Sequence, residues 1–173
     1  MKRLFLLVVL YLFFNTNEAN AQAYFKEEFP KVWKRAAHYT IAVAETMPES
    51  FYDSKVSVDG MSFKEQQLHI VTNISFLGRL ISEEKTAFYD KEDINTLSKE
   101  EVIGILKIAF NYVGELMENI EPGETFKKIK FNNEEISKEN IFYLIRDHMT
   151  HHRGQSIIYL RNQGVNVPKY IGW

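Results

Sequence analysis

Apolar residues fall into one unbroken run and then into four stretches of helical spacing. The run is Leu4 to Phe14. The first periodic stretch goes from Tyr24 to about Met47, with Phe25, Phe29, Val32-Trp33, Ala36-Ala37, Thr40-Ile41 and Ala44 recurring three and four residues apart. That is the pattern of an amphipathic helix. Pro30 either opens it at the first turn or bends it near its start. Met47-Pro48 ends it, because a residue before proline avoids the α region.

Ser62 with Glu65, and Ser98 with Glu101, are capping boxes. They start a second helix, running to about Ile81, and a third that carries Val102, Leu106, Ala109, Val113, Leu116-Met117 and Ile120 on one side. Gly104 and Gly114 each weaken that third helix by roughly 1 kcal/mol against alanine. Ser137 caps a fourth helix from about Lys138 to Asn162, closing near Gly164.

The connections are polar. Residues 48–61 and 82–97 read as loops, and Glu121-Pro122-Gly123 stops the third helix. Thr125 to Phe131 alternates in part and reads as a short extended piece or an exposed loop, with Lys127, Lys128 and Lys130 on a solvated face. In the tail from Val165, the residues Tyr170, Ile171 and Trp173 are expected to pack back on the bundle. Four amphipathic helices, no convincing sheet and no internal repeat predict an all-α four-helix bundle over residues 22–173.

Composition changes the picture mainly at the start. Lys2 and Arg3 precede the apolar run, a polar stretch follows it, and Ala19-Asn20-Ala21 places small residues at a cleavage position. Residues 1–21 therefore read as a secretory signal peptide cut between Ala21 and Gln22, and the protein as exported, periplasmic or secreted. Eleven apolar residues are too few to span a bilayer, so no membrane span is expected after cleavage. The absence of cysteine excludes disulfides, thiolate chemistry and a lipid-modified cysteine. Cleavage removes Lys2, Arg3 and Glu18 and leaves 19 basic and 22 acidic residues, a net charge of −3. A mildly acidic chain without a basic stripe is not a nucleic-acid binder.

The candidate chemistry lies in Asp147-His148-Met149-Thr150-His151-His152-Arg153-Gly154-Gln155, which holds three of the five histidines. His148 and His152, four residues apart on a helix, share a face and can close on one metal ion. His151 lies near that face and competes for the role. Ile141, Leu144-Ile145, Gln155 and Tyr159 share the side of His148 and His152, so the pair interrupts a stripe expected to be buried. Burying imidazoles there is costly unless they are satisfied. A third ligand has to come from elsewhere. His38 falls off the apolar stripe of its helix and reads as a surface residue. His69 shares a face with Asn73, Phe76, Leu77 and Leu80. It is the inward histidine that can complete the set.

Taken together, Glu45-Thr46-Met47-Pro48-Glu49-Ser50-Phe51-Tyr52-Asp53, Met61-Ser62-Phe63-Lys64-Glu65-Gln66-Gln67-Leu68-His69-Ile70 and His148 to Gln155 resemble the DinB family, including its larger DinB/YfiT-like group. The resemblance covers essentially the whole chain after residue 21. It implies an up-down-down-up bundle with a long crossover between helices two and three. It further implies a divalent metal, zinc or nickel, held by His69, His148 and His152, with His151 a non-ligand, and a homodimer.

Three neutral imidazoles leave an open coordination position, as in catalytic zinc sites. Arg153 and Gln155 are candidates for orienting the ligands, and Asn73 for facing the pocket. The catalytic acid or base is not identified. The expected function is a metal-dependent enzyme of the cell envelope acting on an unknown small molecule, either a hydrolase or, as the resemblance implies, a thiol-dependent S-transferase. The alternative is a non-catalytic metal-binding or protein-interaction bundle.

Overall fold

The computed structural model describes residues 2–84, 86–89, 96–121 and 123–172, with only the backbone path over 2–22. Its helices are α1 (Lys2–Thr46), α2 (Phe63–Ser82), α3 (Lys99–Asn119) and α4 (Lys138–Asn162). Both capping boxes form, with Ser62 and Ser98 each accepting from the backbone of its glutamate and each glutamate reaching back. Ser137 caps α4 by accepting from the Asn140 amide. At the other end Gly164 adopts a φ of 67°, and the amides of Gly164 and Val165 bond back to Arg161 and Leu160. This is a Schellman stop, and only glycine takes that φ without strain.

Long-range contacts define the topology. Trp33 donates to the Phe110 carbonyl at 3.1 Å, Lys26 reaches the Ile120 carbonyl and Lys99 the Glu45 carbonyl, so α1 and α3 are antiparallel. Tyr159 donates to the Met61 carbonyl while Lys138 bonds Glu83, so α2 and α4 are antiparallel. Phe25 packs on Phe142, and Thr40 lies against Met149, which makes α1 and α4 parallel. The C-terminal ends of α2 and α3 lie together, with Ser82 and Tyr112 3.3 Å apart. The bundle is therefore up-down-down-up, as expected. Its core runs from the Phe25–Phe29–Phe142 aromatic group to Tyr52, Phe63 and Tyr159 at the other end.

Four expectations need correction. The first helix does not begin at Tyr24 but continues back to Lys2, since neither glycine nor proline interrupts the chain between them. Pro30 lies inside that helix and does not start it. A small sheet exists: β1 (Lys128–Phe131) pairs antiparallel with β2 (Glu134–Ser137), Ile129 opposite Ile136. Asn132, at φ 54°, makes the two-residue turn with Asn133. Asn-Asn between Phe131 and Glu134 was the readable hairpin signal, but four-residue strands show too little alternation to stand out. In the tail, Ile171 packs on the core while Tyr170 is mostly exposed and touches Tyr39 edge-on. Trp173 and Pro122, and residues 85 and 90–95 of the crossover, lie outside the described residues.

Lys127, Lys128 and Lys130 are exposed as expected, but Lys127 also bonds Glu83 at 2.7 Å. Lys138 is buried and pairs with Glu83 at 2.9 Å and Glu124 at 2.7 Å. These pairs fasten the end of α2 to the start of α4. Both carboxylates sit below the usual range because they accept from the lysines, Glu83 at about 2.

Glycines separate close packing from open helix surface. A Cβ on Gly78 would meet the Tyr112 ring at 2.4 Å, whereas one on Gly104 would meet nothing within 4 Å. Gly78→Ala should destabilise the protein by roughly 1–3 kcal/mol through overpacking. Gly104→Ala should stabilise it by up to about 1 kcal/mol. Urea unfolding of the two variants checks both signs.

Candidate metal centre

The antiparallel pairing of α2 with α4 brings the early part of one helix against the middle of the other. His69, in the second turn of α2, thereby meets His148 and His152 of α4. Ring centroids are 5.0 Å apart for His69–His148, 4.6 Å for His69–His152 and 4.4 Å for His148–His152. One nitrogen from each ring lies within 4.8 Å of the other two.

The cluster is less enclosed than its sequence stripe suggested. The buried face of α4 is Ile141, Phe142, Ile145, Met149, His152, Ser156, Tyr159 and Leu160. Leu144 is exposed, and His148 and Gln155 are half-buried. On α2, Phe76 is exposed while His69, Asn73 and Leu80 are half-buried. A helix in a four-helix bundle buries a wide face against two neighbours, so its histidines can sit at the edge of that face and remain reachable.

The histidine orientation has a specific cause. His152 Nδ1 lies 2.6 Å from Gln66 Oε1. A carboxamide oxygen only accepts, so Nδ1 carries the proton and Nε2 keeps its lone pair for a metal. Sequence reasoning missed Gln66. Its signal was a position three residues before His69 on the same helix. The adjacent Gln67, fully buried, donates to Ser156 at 2.7 Å, and Ser156 in turn donates to the His152 carbonyl.

The proposed orienting residues behave differently. Arg153 turns away toward α1, where it donates to the Ala36 carbonyl at 3.1 Å. Among the described residues Gln155 has no hydrogen bond to a histidine. Asn73 Oδ1 is buried without a hydrogen-bond partner. His151 is exposed, stacks edge-on to His152 at 4.9 Å and is not part of the converging group. His38 is exposed on α1, as expected.

Burial, reinforced by the neighbouring imidazoles, pulls His148 and His152 from 6.5 down to about 4. Both are neutral at pH 7, which is the ligating form. The donor set fits a divalent metal on two further counts. His148 Nδ1 is buried and has no hydrogen-bond partner, so that imidazole is unsatisfied by protein groups alone. A tetrahedral zinc with Zn–N bonds of roughly 2.0–2.1 Å spaces its nitrogens about 3.4 Å apart, within reach of side-chain adjustment from the separations here. Among the described residues no carboxylate joins the three imidazoles.

Comparison with solved structures shows the same fold at low sequence identity. A DinB-like protein of Bacillus cereus ATCC 10987 matches with a TM-score of 0.72 and 17% identity, covering 84% of this chain and 97% of its own. A DinB-like protein of Bacillus subtilis gives 0.67 and 18%, covering 83% and 97%. A conserved protein of Enterococcus faecalis gives 0.61 and 10%, covering 79% and 95%. No curated protein matches the chain. Among the described residues, no helix is long and apolar enough to cross a membrane. The sequence model of the DinB family matches residues 16–171, and with that match over nearly its whole length the chain belongs to the DinB family.

Proposed function

We propose that the protein is a metal-dependent enzyme of the cell envelope, acting on a small molecule by hydrolysis or by transfer to a thiol, with zinc or nickel held by His69, His148 and His152. The observation that carries this reading is the convergence of three imidazole nitrogens from two antiparallel helices. A bound divalent cation would supply Lewis acidity toward a water, a thiol or a substrate carbonyl.

The chain's own residues do the rest. Gln66 holds His152 in the Nδ1–H tautomer. Gln67 and Ser156 hold the α2–α4 register that brings His69 to its partners. Burial keeps His148 and His152 deprotonated at neutral pH. The envelope location rests on Lys2-Arg3, the apolar run to Phe14 and Ala19-Asn20-Ala21. Mass spectrometry of the exported protein should find Gln22 at its N-terminus.

Metal analysis of untagged protein, isolated without chelator, should give about one divalent ion per chain, in keeping with one three-imidazole centre. His152→Ala should lose it, whereas His151→Ala and His38→Ala should keep it. No metal in wild type after loading with zinc or nickel would sink the centre. If metal binds, a panel of ester, amide and thiol-conjugation substrates should reveal turnover that disappears in His69→Ala. Metal without any turnover would leave a binding protein.

Gln66→Leu should weaken metal affinity about 10- to 100-fold, read by competition with a chromophoric chelator. Gln155→Leu should leave affinity unchanged.

The depressed histidine pKa values also have a sign. Below pH 6.5 the unfolded chain takes up protons at His148 and His152, while the folded chain does not until about pH 4. Metal-free protein therefore loses stability as pH falls through that window. Its thermal midpoint should drop more steeply between pH 6.5 and 4 than that of a His148→Gln/His152→Gln variant. Parallel curves would refute the assignment.

A further inference from the structure

Arg153 is part of the histidine motif in sequence but not part of the histidine site in space. With Arg146 and Thr150 it forms a second stripe on α4, roughly 150° around the helix from His148 and His152 at 3.6 residues per turn. That stripe faces α1 and the tail. There Arg35, Arg146 and Arg153, with Tyr39, Thr150 and Tyr170, line a cavity of about 190 Å³.

Among the described residues, the charges at this cavity are unbalanced. Arg146 has a carboxylate, Asp147, at 2.8 Å. Among the described residues, neither Arg35 nor Arg153 has a carboxylate within 4.0 Å. Arg153 is half-buried, and its acceptors are all neutral: the Ala36 carbonyl at 3.1 Å, Thr40 Oγ1 at 3.3 Å, Thr150 Oγ1 at 3.4 Å and the Met149 sulfur at 3.5 Å. The two hydroxyl contacts are longer than the usual N–H···O range. Its guanidinium also lies over the Tyr39 ring at 5.2 Å. A half-buried cation whose partners among the described residues are all neutral lacks its strongest available stabilisation, a charge-assisted pair. The whole chain carries a net charge of −2, so three arginines around one cavity are not a basic background.

We infer that the cavity between α1, α4 and the tail binds a small oxyanion, a phosphate or carboxylate group, through Arg153 and Arg35 with Arg146 at its rim. The size is in keeping with this. At roughly 30 Å³ per water the cavity holds about six waters, enough for a phosphate group and too little for a drug-sized ligand. Thr150 and Tyr170 also line the cavity. Tyr170 is held by its edge contact with Tyr39. Tyr170, Ile171 and Gly172 of the tail line that side of the cavity. The site is independent of the metal reading.

The test uses the full chain after chelator treatment, so that a metal cannot recruit the anion. Inorganic phosphate is titrated by calorimetry and by amide and arginine-side-chain NMR, against sodium chloride of equal ionic strength. Acetate is run beside it to separate a phosphate preference from a carboxylate preference. The expected result is saturable binding of one or both, with shifts confined to residues 35, 39, 146, 150 and 153. Arg35→Glu should weaken it roughly tenfold or more with helicity and melting unchanged. Arg153→Lys should weaken it as well, and His152→Ala should not. No binding beyond the chloride control, unchanged affinity in Arg35→Glu, or shifts centred on His69 and His148 would each overturn the proposal.

Discussion

The antiparallel seam between α2 and α4 is the constraint on which the candidate centre depends. Neither helix carries a site alone. α4 offers two imidazoles and α2 offers one, and a slip of a single turn would move His69 by about 5.4 Å relative to its partners. Apolar packing resists such a slip only loosely, because one aliphatic contact resembles another. Directional bonds resist it better. Gln67, fully buried, reaches Ser156, and Gln66 reaches His152. A slip of one turn would break both bonds, and each buried polar group left without a partner would cost roughly 1–3 kcal/mol.

The two glutamines act at different ends of the same residue. Gln66 sets the proton of the His152 ring, while Ser156, tied to Gln67, bonds the His152 backbone carbonyl. Seam stability and ligand preorganisation are thus produced by one pair of adjacent side chains. The lysine network at the far end of α2, with Lys138 joined to Glu83 and Glu124, closes the seam from its opposite end.

α4 is used on more than one side. Met149, Ser156 and Leu160 enter the core, His148 and His152 face α2, and Arg153 crosses to α1. The compact motif from His148 to Gln155 therefore distributes over separate environments once it is helical. Neighbours in sequence become opposites in space at about 100° per residue. This is why Arg153, adjacent to a ligand histidine, contributes to a different cavity. It is also why Gln66, 86 positions away from His152, contributes to this one.

Much of this protein is local and hence legible in one dimension. Ser62, Ser98, Ser137 and Gly164 mark helix ends by bonds that span only a few residues, and each formed where its pattern placed it. The periodicity determined that the chain is a helical bundle, and the i,i+4 spacing of His148 and His152 determined that two imidazoles share a helix face. The short hairpin around Asn132 escaped because strands of four residues carry too little alternation. Which glutamine holds His152, how exposed His148 remains and where Arg153 points were settled only in three dimensions. Those outcomes depend on how one helix is rotated and shifted against another. That alignment is set jointly by packing and by hydrogen bonds such as Gln66–His152 and Gln67–Ser156, between residues far apart in the chain, which no local pattern encodes.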